Sequence, residues 1–284
     1  MKKGNWIRLT PNRIHEKKKK VIAKKNIEIL ESGKLKINKN EKLSLKPFIQ
    51  DSLDQMVCSR VEGIPNKENI VIDEKPTGKT TICVNLTSIK KMLKINMIFQ
   101  KDVYTIVSVV PKKEYDEYFN LMDGTIIGTL LRTSTLMCMY HEIKENWKEL
   151  NQQDTSGFTN VLFIPNILVF LDEKKGTILK KPYKINLLFL TTPSKKNLTE
   201  GIEDASQEEV VKRMIDDVYD VSIRTGCDRL IIAPFCNSSL LEEPHYTSEV
   251  WNNGCTTDRV NNNIQSIDFC VNSDDLFVIF KNAK

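Results

Sequence analysis

The stretch Asn160-Val161-Leu162-Phe163-Ile164-Pro165-Asn166-Ile167-Leu168-Val169-Phe170-Leu171-Asp172 is apolar almost without a break. A strand with one wet face alternates apolar and polar residues, whereas a run that is apolar at both parities suits a strand covered on both faces. Val161–Asp172 is therefore read as a buried strand, and Ile185–Thr191 repeats the pattern. Next, Ser206-Gln207-Glu208-Glu209 has the spacing of a capping box. It opens a helix with Val211, Met214, Ile215, Val218 and Val221 on its apolar face, stopping at Gly226. Arg229–Phe235 follows as a short buried strand. Buried strand, amphipathic helix and buried strand in succession predict an α/β class with a largely buried central sheet.

Working outward, Leu276–Phe280 reads as a further short strand. Towards the N-terminus, Ile126 to Trp147 reads as one helix with Leu130, Leu131, Leu136, Met137 and Met139 inward, and Asp102–Val110 as a buried strand before a polar, irregular 111–124. Asn69–Glu74 and Thr80–Leu86 read as strands joined by Lys75-Pro76-Thr77-Gly78-Lys79, and Thr87 caps a helix to about Phe99. Asn12–Gly33 reads as a helix with an apolar stripe of Ile14, Val21, Ile22, Ile29 and Leu30 and a glycine stop. Lys2 to Pro11 has no periodicity and is expected to be an extended arm.

Composition bounds the function. The 284 residues are 40% hydrophobic and 28% charged, values of a soluble globular protein rather than a collagen-like or disordered one. Apolar runs fall well short of the roughly 18–20 residues that span a bilayer, so no membrane is expected. Met1 to Trp6 has no apolar run behind its charges, so no secretory signal is expected. The seven cysteines (Cys58, Cys83, Cys138, Cys227, Cys236, Cys255 and Cys270) form no C-x-x-C pair. With His15, His141 and His245 they do not make a metal site, and a reducing, cytoplasmic compartment is expected, with no metal and no cofactor.

Charge is unevenly placed. Residues 1–50 hold 15 Lys and Arg against four acids, a net of +11, and the other 234 residues hold 27 against 33, a net of −6. A basic arm on a mildly acidic body is a footprint for polyanion binding, although a solvated basic helix has the same composition. Familiar catalytic patterns are weak. Gly78-Lys79-Thr80 ends like a phosphate loop, but its first glycine would fall on Asp73. His141-Glu142 lacks the second histidine of a zincin. Ser134 with His141, and the thiols Cys138 and Cys236, have the bland reading of helix or core positions. The acid pairs Asp216-Asp217, Glu242-Glu243 and Asp274-Asp275 suit solvated or capping roles.

One order of strings is recognisable: Leu131-Arg132-Thr133-Ser134-Thr135-Leu136, the stretch from Asn160 to Asp172, Pro182-Tyr183, and Asp228-Arg229-Leu230-Ile231-Ile232-Ala233. It resembles the microbial-type poly(ADP-ribose) glycohydrolase family. The resemblance implies a macrodomain-like three-layer α/β sandwich with a central mixed sheet over 51–284 and a basic helical extension over 1–50. That family carries its chemistry in two loops. Its glycine run corresponds to Asp116, Glu117 and Tyr118 here, and its Gln-Glu-Glu to Ile126, Ile127 and Gly128. Its second, glycine-rich phosphate loop corresponds to the turn after Ala233, containing Cys236, Asn237 and Ser238. Isoleucine and glycine neither stabilise an oxocarbenium ion nor move a proton, and a turn without glycine is a poor diphosphate cradle.

The resemblance thus implies a degenerate member with no catalytic residue and little affinity for ADP-ribose. The expectation is a non-catalytic RNA-binding protein, on the ribosome or another ribonucleoprotein. Its contacts would be Lys2, Lys3, Trp6, Arg8, Arg13, Lys17, Lys18, Lys19, Lys20, Lys24 and Lys25, with Trp6 or Phe48 stacking on bases. An ADP-ribose reader or glycohydrolase-like enzyme, and an inactive protein–protein adaptor, stand as alternatives.

Overall fold

The computed structural model describes residues 13–64, 80–85, 103–111, 119–122, 125–152, 160–192, 207–233, 244–271 and 274–282. In chain order these form α1 (Arg13–Ser32), β1 (Lys34–Lys36), β2 (Lys42–Ser44), α2 (Lys46–Asp54), β3 (Val57–Arg60), β4 (Thr80–Asn85) and β5 (Tyr104–Pro111). There follow α3 (Ile126–Thr133), α4 (Tyr140–Gln152), β6 (Asn160–Leu171), β7 (Ile178–Thr192) and α5 (Gln207–Arg224). The chain closes with β8 (Arg229–Ala233), α6 (Pro244–Thr256), α7 (Asp258–Asn263), β9 (Ser266–Val271) and α8 (Asp274–Asn282).

The described strands make one seven-stranded sheet in the order β3-β6-β7-β5-β8-β9-β4, beside the small β1-β2 hairpin. β6 runs antiparallel to β3 and β7, while β7, β5, β8, β9 and β4 are mutually parallel. Successive strand side chains point to opposite faces, and this sorts the core. Leu188 and Leu190 of β7 join Val107, Leu230, Ile232 and Phe269 under α5 and α6. Leu187 and Phe189 join Ile106, Leu162 and Ile231 under α3 and α4. The result is a three-layer sandwich around a central mixed sheet.

β6 changes register midway. The pairing with β7 shifts between Ile164 and Ile167, where Pro165 lacks a ladder N–H and Asn166 takes φ 56°, a value asparagine tolerates. The Asn166 N–H donates instead to Asn186 Oδ1 at 3.0 Å. Beyond this bulge Leu168, Phe170 and Leu171 pack with Ile22, Leu35 and Leu45, so the end of β6 is roofed by α1 and the β1-β2 hairpin.

Several expectations need correction. The single helix from Ile126 to Trp147 is broken at Ser134, which is extended (φ −143°, ψ −179°) and bridges Val169 of β6. Ser134 Oγ donates to the Leu130 carbonyl at 2.6 Å, and the Leu168 N–H donates to Thr135 Oγ1 at 3.0 Å. A short 3-10 turn over Thr135–Met139 follows before α4. Leu276–Phe280 is not a strand: it lies in α8, with Leu276 and Phe280 buried four residues apart and Val278 between them exposed. A short apolar run fits either period, and the strand belonging to this part of the sheet is β9. Val21 leaves the apolar stripe of α1 and is 67% exposed, because the buried side is set by Ile22, Ala23 and Asn26. The helices α2, α6 and α7 escaped the sequence reading. Gly33 (φ 65°) and Gly226 (φ 74°) do end α1 and α5 in the left-handed conformation that glycine permits. The expected strand at 69–74, the turn at 75–79, the helix at 87–99 and Ser206 lie outside the described residues.

Phe189 is fully buried, its ring centroid 5.6 Å from that of Phe119 and 5.5 Å from that of Trp147. Phe189→Ala should destabilise the protein by about 3–5 kcal/mol, read as a lowered urea midpoint with an unchanged slope. A loss of a few tenths would mean that this layer is not packed as described.

Candidate functional site

The parallel strands β4, β5, β7, β8 and β9 all end at one edge of the sheet, at Asn85, Pro111, Thr192, Ala233 and Val271. In open α/β sheets ligands settle outside the carboxyl ends of such strands. β5 and β8 are adjacent and in register, Ser108 opposite Ala233. The segments following them hold Asp116, Glu117 and Tyr118, and Cys236, Asn237 and Ser238. Their roots are thus brought side by side, while these six residues themselves lie outside the described ones. Ile126, Ile127 and Gly128 form the first turn of α3, whose cap is Thr125 Oγ1 accepting from the Gly128 N–H at 3.1 Å. That turn carries no acid, and Ile127 is buried against the core beneath α3 and α4.

The second candidate is α1. Lys17, Lys18, Lys20 and Lys24 are exposed. Lys19 and Lys25 are half-buried and turn inward: Lys19 Nζ donates to the Met122 carbonyl at 2.8 Å, and Lys25 Nζ to the Gly176 carbonyl at 2.7 Å. Next to Lys25 in sequence, Asn26 is fully buried and donates through Nδ2 to the carbonyls of Leu131 (2.8 Å) and Ser134 (3.1 Å). The Leu131 carbonyl is free to accept because α3 ends at Thr133, leaving its last acceptors without a partner in the helix. α1 is therefore docked on the body, with Lys17, Lys18, Lys20 and Lys24 exposed on its outer side beside Glu16, Glu28 and Glu31, and Lys24 lies 3.9 Å from Glu28. Arg13 opens the helix; Lys2, Lys3, Trp6 and Arg8 lie outside the described residues. Phe48 packs against the cluster beneath α1, with Lys184 Nζ 5.2 Å from its ring centroid, so that face of the ring is not offered to a base.

Sequence reasoning missed Asn26 and Arg132 as positioning residues. Arg132, buried, donates to the Leu121 carbonyl and to Thr129 Oγ1 at 3.1 Å, bracing the segment that carries Phe119. A polar residue on the buried side of an otherwise apolar stripe was the available signal for Asn26.

The remaining reactive groups are quiet. Ser134 is buried while His141 is exposed, so they form no pair. Burial, helped by Glu149, pushes the Cys58 thiol up to about 12, and desolvation raises that of Cys138; neither is the electropositive setting that makes a reactive thiolate. Tyr183 is held protonated by burial and then by Glu173 and Asp172. Asp216 pairs with Lys212 at 2.7 Å. Among the described residues no cluster of His, Cys, Asp and Glu suits a metal ion, and no helix is long and apolar enough to cross a membrane.

No protein-family model and no curated protein matches the sequence. Solved structures do. Poly(ADP-ribose) glycohydrolase from Thermomonospora curvata superposes with a TM-score of 0.68 at 15% identity, covering 94% of this chain and 100% of that one. The same enzyme bound to the inhibitor ADP-HPD gives 0.66 at 16%, covering 93% and 98%. The Deinococcus radiodurans enzyme in complex with ADP-ribose gives 0.55 at 14%, covering 72% and 83%. The chain has the macrodomain-like fold of these bacterial glycohydrolases. Identities this low establish the fold alone.

Replacing Asn26 by Leu takes away the side-chain donor to the Leu131 and Ser134 carbonyls. It should cost about 1–3 kcal/mol, with faster hydrogen exchange confined to α1 and its neighbours. Unchanged protection of α1 would show that the helix is held without Asn26.

Proposed function

We propose that this chain is a non-catalytic protein of macrodomain-like fold that binds RNA through the outer face of α1. The observation that carries the reading is the run of exposed Lys17, Lys18, Lys20 and Lys24 on a helix pinned from beneath. Lys17 and Lys20 are three apart, a spacing at which like charges cost roughly 0.2–0.5 kcal/mol, while Lys24 pairs with Glu28 at 3.9 Å. A polyanion would relieve the repulsion between Lys17 and Lys20. The pinning fixes the lysines in place before binding, which lowers the ordering cost of association.

RNA is favoured over a membrane or a protein partner by what accompanies the lysines. Among the described residues the exposed large hydrophobics are Val21 and Val278. An interfacial helix needs a broad apolar face to insert, and a protein interface draws its energy from buried aromatic anchors. Phosphate contacts need neither. The absence of any acid in the first turn of α3 supports the non-catalytic part.

The test is a salt titration of single-stranded RNA binding. Lys19 is left intact because it braces Met122, and Lys17, Lys18 and Lys20 are changed to Gln. Log affinity should fall with log salt at about −0.7 per phosphate contact, so the triple variant should flatten the slope by about 2. Wild-type protein that binds no RNA at low salt would overturn the proposal.

A second reading, an ADP-ribose site at the carboxyl edge of the sheet, is favoured by the fold likeness to a structure holding ADP-ribose. Positioned acid–base groups supply roughly 10²–10⁴ in rate, so on the first reading purified protein should release no ADP-ribose from polymer above background. Calorimetry with free ADP-ribose should likewise record no micromolar binding; turnover or clear heat would promote the second reading.

A further inference from the structure

The turn between β6 and β7, Asp172 to Thr177, comes against α1 although the touching residues are 151 positions apart. Lys25 Nζ bonds the Gly176 carbonyl, and a Cβ on Gly176 would stand 2.9 Å from Ile22 Cγ1, so the turn's backbone lies directly against side chains of α1. The turn is internally braced. The Gly176 N–H donates to the Asp172 carbonyl at 2.8 Å, and the Asp172 N–H to that of Thr177 at 2.8 Å. Asp172 Oδ1 accepts from the N–H groups of both Lys174 and Lys175, at 2.8 Å each.

These bonds decide which charges the turn presents. The Asp172 carboxylate is occupied by its own backbone. Glu173 leans inward, where Thr129 Oγ1 lies 3.5 Å from Glu173 Oε1. Lys174 and Lys175 are left exposed. On α1, residues seven apart share a side, so Lys18 lies on the same flank as Lys25, the flank that faces this turn. The turn that carries Lys174 and Lys175 thus lies beside the flank of α1 that carries Lys18 and Lys25.

We propose that Lys174 and Lys175 form the second side of the RNA site, a phosphate-binding rim facing Lys17 and Lys18 across the flank of α1. The inference rests on the RNA reading and extends it from one helix to a two-sided channel. Opposed basic rims track the backbone of a single strand, where a lone helix face meets it from one side only.

The experiment compares wild type, Lys174→Gln/Lys175→Gln, and a control, Lys148→Gln/Lys212→Gln, by salt titration against a labelled oligouridylate. Lys148 and Lys212 are exposed, in surface ion pairs with Glu145 and Asp216 that contribute little to stability. The control removes the same charge elsewhere. Loss of two contacts should reduce the slope by about 1.4, which shrinks the affinity lost between 50 and 200 mM salt by about sevenfold. The control should keep the wild-type slope. If the turn variant keeps the wild-type slope, the second rim is wrong while the α1 reading stands. If control and turn variant flatten equally, binding follows net charge and the rim is again wrong. If wild type shows no RNA binding at low salt, the proposed function falls and the rim with it.

Discussion

The two-sided burial of the central sheet is the constraint on which the other features depend. β6 and the Leu187–Leu190 stretch of β7 are apolar at both parities, so neither face of the sheet tolerates water there and each must be roofed by helices. α5 and α6 supply one roof, α3 and α4 the other. The bulge at Pro165-Asn166 then changes what the rest of β6 faces, and Leu168, Phe170 and Leu171 need a cover of their own. α1 and the β1-β2 hairpin are that cover. A segment that composition marks as a basic arm is thereby drawn into the fold.

The docking of α1 is a contest that magnitudes settle. Burial of Ile22 alone contributes about 1.5–3 kcal/mol, and the two hydrogen bonds from Asn26 add to it. The like-charge spacings among its lysines subtract only tenths each. The helix therefore stays in place. Lys19 and Lys25 reach backbone carbonyls, which divides the basic run into lysines that hold the helix and lysines that face outward.

The backbone follows the bacterial glycohydrolases over most of its length, and in the first turn of α3 Ile127 is consumed by the core. Arg132, part of the string that marks the likeness, braces a neighbouring loop through the Leu121 carbonyl. A scaffold of this kind keeps its shape when its reactive groups change, because the shape rests on the alternating apolar pattern of the strands.

The amino-acid sequence alone determined the α/β class, the buried strands around Val161–Leu171 and Ile185–Thr191, the helix ending at Gly226, and the uneven charge. All of these rest on short-range periodicity and local backbone preference. It left the helix break at Ser134 invisible, because the break is made by hydrogen bonds to β6 and the local apolar pattern runs through it. It misread Leu276–Phe280 because five residues are too few to separate a period of 2 from one of 3.6. The candidate site divides the same way. That residues 1–50 are basic is a matter of counting. Which of those lysines are exposed, and that the turn of Lys174 and Lys175 lies against α1, was decided by the tertiary structure, because the contact between Lys25 and Gly176 joins positions no local pattern connects.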